Sequence, residues 1–319
     1  MKLVVALAVL LAMPAASLAQ DTHLLVITGV EAGPDDAKQF HEWAAALIDA
    51  ARKKNAVAEG NIIYLADKPA ADPRINARST REGVEKAFGD LAAAAKPNDV
   101  VIAVLLGHGS SPDGRQSSFN LPGPDLSAAD FGRLLDKLRA QRVALVNAAS
   151  SSGGFLTLAG PGRAIVTATK TAGEKNDPRF PQFFVEAFAT DAADKNRDGR
   201  ISIAEAFDYA KTKVAQVYQQ AGNLQSEHAV IDDGHEGAFA ATLFLESPSA
   251  RASALAGTAD PELRKLFEER QALEDQVAAL KLRKPQMDTA EYEKQLEKLV
   301  TDLALKTRAI QQREGKKQP

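Results

Sequence analysis

Residues 143–155 read VALVNAASSSGGF. An apolar run stops at two alanines, three serines and two glycines. That is the pattern of a buried parallel strand emptying into a site loop. The serines are then a nucleophile, a phosphate cradle or a plain turn of small residues. The sequence on either side decides among the three.

Three further apolar runs precede the stretch and one follows it. They are HLLVITGV (23–30), NIIYLAD (61–67), DVVIAVLLG (99–107) and AIVTAT (164–169). Helical patterns fall between them. Residues 35–54 place Phe40, Trp43, Ala44, Leu47 and Ile48 on one face. Ser79 with Glu82 reads as a capping box opening a helix to about Ala95. Another helix runs from near Ser127 to about Arg139. Strands that are apolar throughout and alternate with helices predict a parallel sheet covered on both faces. In such sheets ligands bind beyond the carboxyl ends of strands. Two ends stand out, LLGHGSSPDG after the third strand and NAASSSGGF after the fourth.

The α/β-hydrolase elbow G-x-S-x-G is approached by Ala149-x-Ser151-x-Gly153, with His228 or His235 as base. An elbow serine needs a helix directly behind it. Only a short stretch containing Gly160-Pro161-Gly162 separates Phe155 from the next strand, and no useful helix fits. A phosphate cradle fails on the same ground, and no P-loop lysine follows. Pairing the two loops works better. His108 and Ser150 would then face one substrate carbonyl, and the backbone N–H groups of Gly109 and Ser150 would point at a developing oxyanion.

On these residues the chain resembles the caspase, legumain and gingipain peptidases, whose strands end in His-Gly and in Ala-Cys-x-Ser-Gly. LLGHGS matches the first, and NAASSSGGF matches the second at Ala149, Ser152 and Gly153. Ser150 stands where the cysteine nucleophile belongs. The resemblance runs from about His23 to Leu245, through RSTREGVEKAFGDLAAAAKPNDVVIAVLLGHG, RFPQFFVEAF and SEHAVIDDGHEG. It includes the C-terminal DPELRKLFEERQALEDQVAALK as well. These segments are similar to a bacterial group related to the legumain peptidases. The resemblance implies a three-layer α/β/α caspase-like sandwich with a mainly parallel sheet, and a peptide or protein ligand. Serine is a far weaker nucleophile than a thiolate and needs an orienting group besides a base. The expected role is therefore that of a non-cleaving homologue acting in binding or regulation. A Ser150/His108 hydrolase and a scaffold working through the C-terminal helices are the alternatives.

DKNRDGRISIAE, residues 194–205, fits the EF-hand pattern D-x-[DN]-x-[DN]-G-x5-E. Asp194, Asn196, Asp198, the Arg200 carbonyl, Ser202 and Glu205 take the ligand positions for a single structural Ca2+. The same residues would otherwise form an acidic turn capping the next helix. IDDGHEG (231–237) lacks the spacing, and His23, His41, His228 and His235 read as packing or surface residues.

Lys2, an apolar stretch to Met13 and Ser17-Leu18-Ala19 give residues 1–19 the form of a secretory signal peptide, hence a periplasmic or secreted protein. The net charge is −3 and no basic stretch carries interleaved aromatics, which argues against nucleic acid. Cysteine is absent, so thiol chemistry and disulfides are excluded. No later run is long enough to span a membrane. The caspase-like domain is expected over 20–246 and a linker over 247–259. A helical hairpin of coiled-coil type follows over 260–319. Leu263, Leu266, Leu273, Val277 and Leu280 form its first seam, which Arg270 interrupts. Residues 260–313 also offer a surface for a helical partner or for self-association.

Overall fold

The computed structural model describes residues 20–315, so the expected signal peptide lies outside the described residues. The apolar runs form strands. β1 (Thr22–Thr28), β2 (Ile62–Ala66) and β3 (Ala77–Arg78) come first. β4 (Val100–Leu106) follows, then a small sheet of β5 (Gly109–Ser110), β6 (Ser118–Phe119) and β7 (Leu126–Ser127). β8 (Arg142–Asn147), β9 (Arg163–Thr167) and β10 (Val230–Asp232) complete the set. The main sheet has the order β10-β9-β8-β4-β1-β2-β3. It is parallel except for β10, which pairs antiparallel with β9.

Successive strand residues point to opposite faces, and each face meets a helical layer. Leu24 and Val26 pack with α1 (Pro34–Asp49), α4 (Phe180–Ala189) and α5 (Ile203–Ala221). Leu25 and Ile27 pack with α2 (Arg81–Ala94), α3 (Ala128–Leu135) and Phe155. Every residue of β1 and β4 is buried, as a strand covered on both sides requires. The expected three-layer α/β/α arrangement is therefore present.

Two local expectations need correction. The cap of α2 is Thr80, whose hydroxyl accepts from Gly83 N, rather than Ser79. Ser79 N is bonded to Ala66 O, which continues the β3 pairing and fixes Ser79 outside the helix. The expected linker 247–259 contains a helix, α6 (Pro248–Ala256). Its alanines favour a helix there.

Asp260 caps α7 (Pro261–Arg283) by accepting from Glu262 N and Leu263 N. A short turn at Lys284–Gln286 leads into α8 (Thr289–Gly315). Arg313 near the end of α8 reaches Asp260 at 2.7 Å, and Lys306 reaches Glu269 at 2.5 Å, so the helices run antiparallel as a hairpin. Arg270 is no flaw in the seam. It is 5% exposed and donates to the carbonyl oxygens of Arg197 and Asp198 at 3.1 and 3.0 Å, which docks the hairpin on the 194–205 loop.

Candidate functional site

β4 and β8 are parallel neighbours, in register from Val100 opposite Arg142 to Leu105 opposite Asn147. The loops that carry His108 and Ser150 therefore leave the sheet side by side at its carboxyl edge. The glycine after His108 has a steric reason. A side chain at Gly109 would place its Cβ 2.1 Å from the carbonyl oxygen of Ser150, so the two loops approach backbone to backbone.

The serines of the opening stretch hold this loop together. Ser150, Ser151 and Ser152 are 3%, 1% and 1% exposed. Ser150 Oγ accepts from Gly109 N at 3.3 Å and donates to Gly109 O at 3.2 Å. Ser151 has a φ of 52°, the left-handed region that non-glycine residues seldom adopt. Its N–H is bonded to Glu174 O and its carbonyl accepts from Ser117 Oγ, which keeps the conformation in place. Ser152 Oγ lies 3.1 Å from Thr169 Oγ1 and accepts from Thr169 N. Behind Ser152 the chain makes only the 3-10 turn Ser152–Leu158, consistent with the absence of an elbow helix.

His108 is engaged elsewhere. Its Nδ1 lies 2.9 Å from Asp177 Oδ1 and its Nε2 lies 3.2 Å from Asp36 Oδ2. The ring stands edge-on to Phe40, with centroids 5.3 Å apart. Among the described residues no hydrogen bond joins His108 to Ser150. The topology brings the two loops to one edge, and there each side chain is bonded to other partners. Nor is the Gly109 N–H directed at open space, since Ser150 Oγ receives it.

Asp36 and Asp177 are the residues that sequence reasoning missed. Asp36 sits in the first turn of α1, just after Gly33-Pro34, where a carboxylate suits the helix dipole without any further role. α1 follows β1, however, so its first turn lies over the sheet's carboxyl edge. That placement was the signal available. Asp177, in a polar loop before Pro178, gave none.

The 194–205 loop keeps its EF-hand turn at Gly199, whose φ is +82°. Asp194 accepts from Asp198 N and Gly199 N at 3.1 and 2.8 Å. Asp198 accepts from Arg200 N at 2.7 Å and pairs with the Arg200 guanidinium at 3.4 Å. Glu205 turns back to accept from Ser202 N and Oγ at 3.0 and 2.8 Å, forming the capping box of α5. Burial pushes its carboxyl above the usual range. Among the described residues no three His, Cys, Asp or Glu side chains are placed to hold a metal ion. The loop pairs with residues 243–244, through Ile203 N to Leu243 O and the Ser202–Phe244 bridge.

No protein-family model matches the chain, and no curated protein matches it in sequence. Among solved structures, protein GSU0716 from Geobacter sulfurreducens is 11% identical, with a TM-score of 0.43. It covers 66% of this chain and 92% of its own. A secreted C11 cysteine protease from Bacteroides thetaiotaomicron, solved with an irreversible peptide inhibitor, is 12% identical with a TM-score of 0.40. It covers 74% of this chain and 69% of its own. A pyrroline carboxylate reductase from Plasmodium falciparum scores only 0.27 at 12% identity, over 92% of this chain and 99% of its own. Overlaps of this size describe an arrangement of strands and helices and carry no activity with them.

Proposed function

We propose that the chain is an exported caspase- and legumain-like homologue that binds or regulates rather than cleaves, with a structural Ca2+ in the 194–205 loop. The observation that supports this is the pair of carboxylates on His108. Both ring nitrogens face carboxylates and neither is bonded to Ser150, and a serine without a base is a poor nucleophile. Ser150 Oγ also occupies the Gly109 N–H that an oxyanion would need.

The Ser150/His108 hydrolase is the competing reading. Asp177 supplies it with the orienting carboxylate that a serine triad uses. Asp36 opposes it, because the nitrogen that would face the serine faces this carboxylate instead. Hydrolysis of fluorogenic peptides by three proteins separates the readings. Wild type should show no turnover, and Ser150→Cys at most a trace. Ser150→Cys combined with Asp36→Asn should gain at least about tenfold over the single variant, a gain that His108→Ala removes. Wild-type turnover that Ser150→Ala abolishes would overturn the proposal.

A further inference from the structure

β8 carries a second feature at its other end. The strand finishes at the serine loop but starts at Arg142, on the amino edge of the sheet. Arg142 lines a cavity of about 860 Å3 between that edge and the C-terminal helices. The volume falls within the roughly 300–1,000 Å3 of sites for small organic ligands.

The cavity has two kinds of wall. Arg200, Arg251, Glu246 and Glu274 line one part, and Leu255, Val277, Leu282, Val300 and Leu303 line another. Val300 stays 47% exposed, an apolar side chain without a full complement of neighbours. The carboxylates of the polar part are matched. Glu274 lies 3.3 Å from Arg200, and Glu246 lies 3.7 Å from Arg251.

Arg142 is different. Its guanidinium donates to Thr242 O at 2.9 Å and to Thr242 Oγ1, and lies 5.6 Å from the centroid of Phe239. These are neutral partners, and among the described residues Arg142 forms no ion pair. The charge of Asp275, also at the cavity, acts on Arg142, but Asp275 is exposed and water screens it. A partly buried cation whose hydrogen-bond partners are neutral is held at a cost that a ligand anion lowers. Burial accordingly holds its pKa below the ordinary arginine value.

We propose that this cavity binds an amphiphilic carboxylate of the fatty-acid class, its head on Arg142 and its chain along Val277, Val300 and Leu303. The inference is independent of what Ser150 does, because the two sites lie at opposite edges of the sheet.

Calorimetric titration with dodecanoate, below its micelle concentration, tests it. Dodecanoate should bind one per chain and at least about tenfold more tightly than dodecanol or dodecyltrimethylammonium, which share its chain and lack its charge. Shortening the chain should weaken binding by roughly threefold to fourfold per methylene. Arg142→Gln should lose at least about tenfold, and Arg142→Lys should keep part of the affinity. Arg142→Gln also removes a side chain that anchors the start of β8 to Thr242, so Val300→Glu provides a second variant. It places a negative charge on the exposed, apolar part of the lining, and should weaken dodecanoate about as much with the melting temperature unchanged. Absence of dodecanoate binding by wild type would overturn the proposal. So would equal binding of the cationic analogue, or Arg142→Gln and Val300→Glu that both bind like wild type.

Discussion

Ser79 and Thr80 are adjacent residues with opposite roles. Thr80 caps α2, whereas the hydroxyl of Ser79 is buried without a partner. Thr80→Ala should therefore cost about 1 kcal/mol. Ser79→Ala should be neutral or slightly stabilising, because it removes an unsatisfied polar atom. Urea denaturation of the two variants checks this, and equal losses would put the cap at the wrong residue. The sequence places the capping signal within one position. It does not register that the hydrogen bond from Ser79 N to Ala66 O fixes the boundary. The same limit applies at the candidate site. His108 and Ser150 are legible as ends of apolar runs. The carboxylates that hold His108 come from positions far away in sequence, Asp36 on α1 and Asp177 in a loop, and no local pattern marks either.

At the scale of elements, the junction between the 194–205 loop and α7 is the part of the fold that the sequence conceals. The heptad pattern of α7 was legible, and Arg270 stood out only as an interruption of it. A buried arginine can be read only once its carbonyl partners at Arg197 and Asp198 are known. Glu274 belongs to the same junction, 3.4 Å from Arg270 and 3.3 Å from Arg200. Burial, with Asp198 nearby, pushes its carboxyl from 4.5 to about 7. The folded chain thus holds this proton more tightly than the unfolded chain does. The stability it contributes is fully present below about pH 4.5 and is lost as pH rises through about 7. Asp72, held at about 2 by Arg74, acts in the opposite sense, but its change is complete below this window. Urea midpoints should therefore fall between pH 5 and pH 7.5, and Glu274→Gln should flatten that slope. A slope that persists unchanged in Glu274→Gln would remove Glu274 as its source.

At the scale of the molecule, alternation of apolar runs and helices was enough to give the layered sheet, because burial on both faces leaves a sequence signature in each strand. The 194–205 loop connects that sheet's helical layer to the C-terminal hairpin, so an ion there should be felt globally. If the proposed ion occupies the loop, calcium should raise the melting temperature of the whole chain. Glu205→Gln should then abolish the rise by removing the carboxylate that would bind it. An undiminished calcium response in that variant would place the ion elsewhere.

The ends of β4 and β8 meet, and on the proposed reading no acylation chemistry runs between them. Intact-mass spectrometry of wild-type protein after prolonged exposure to a fluorophosphonate and to peptide-derived acylating inhibitors tests it most directly. With Ser150 Oγ bonded to Gly109 and His108 held by Asp36 and Asp177, the mass should stay unchanged. A stoichiometric adduct mapped to Ser150, and lost in His108→Ala, would contradict the account.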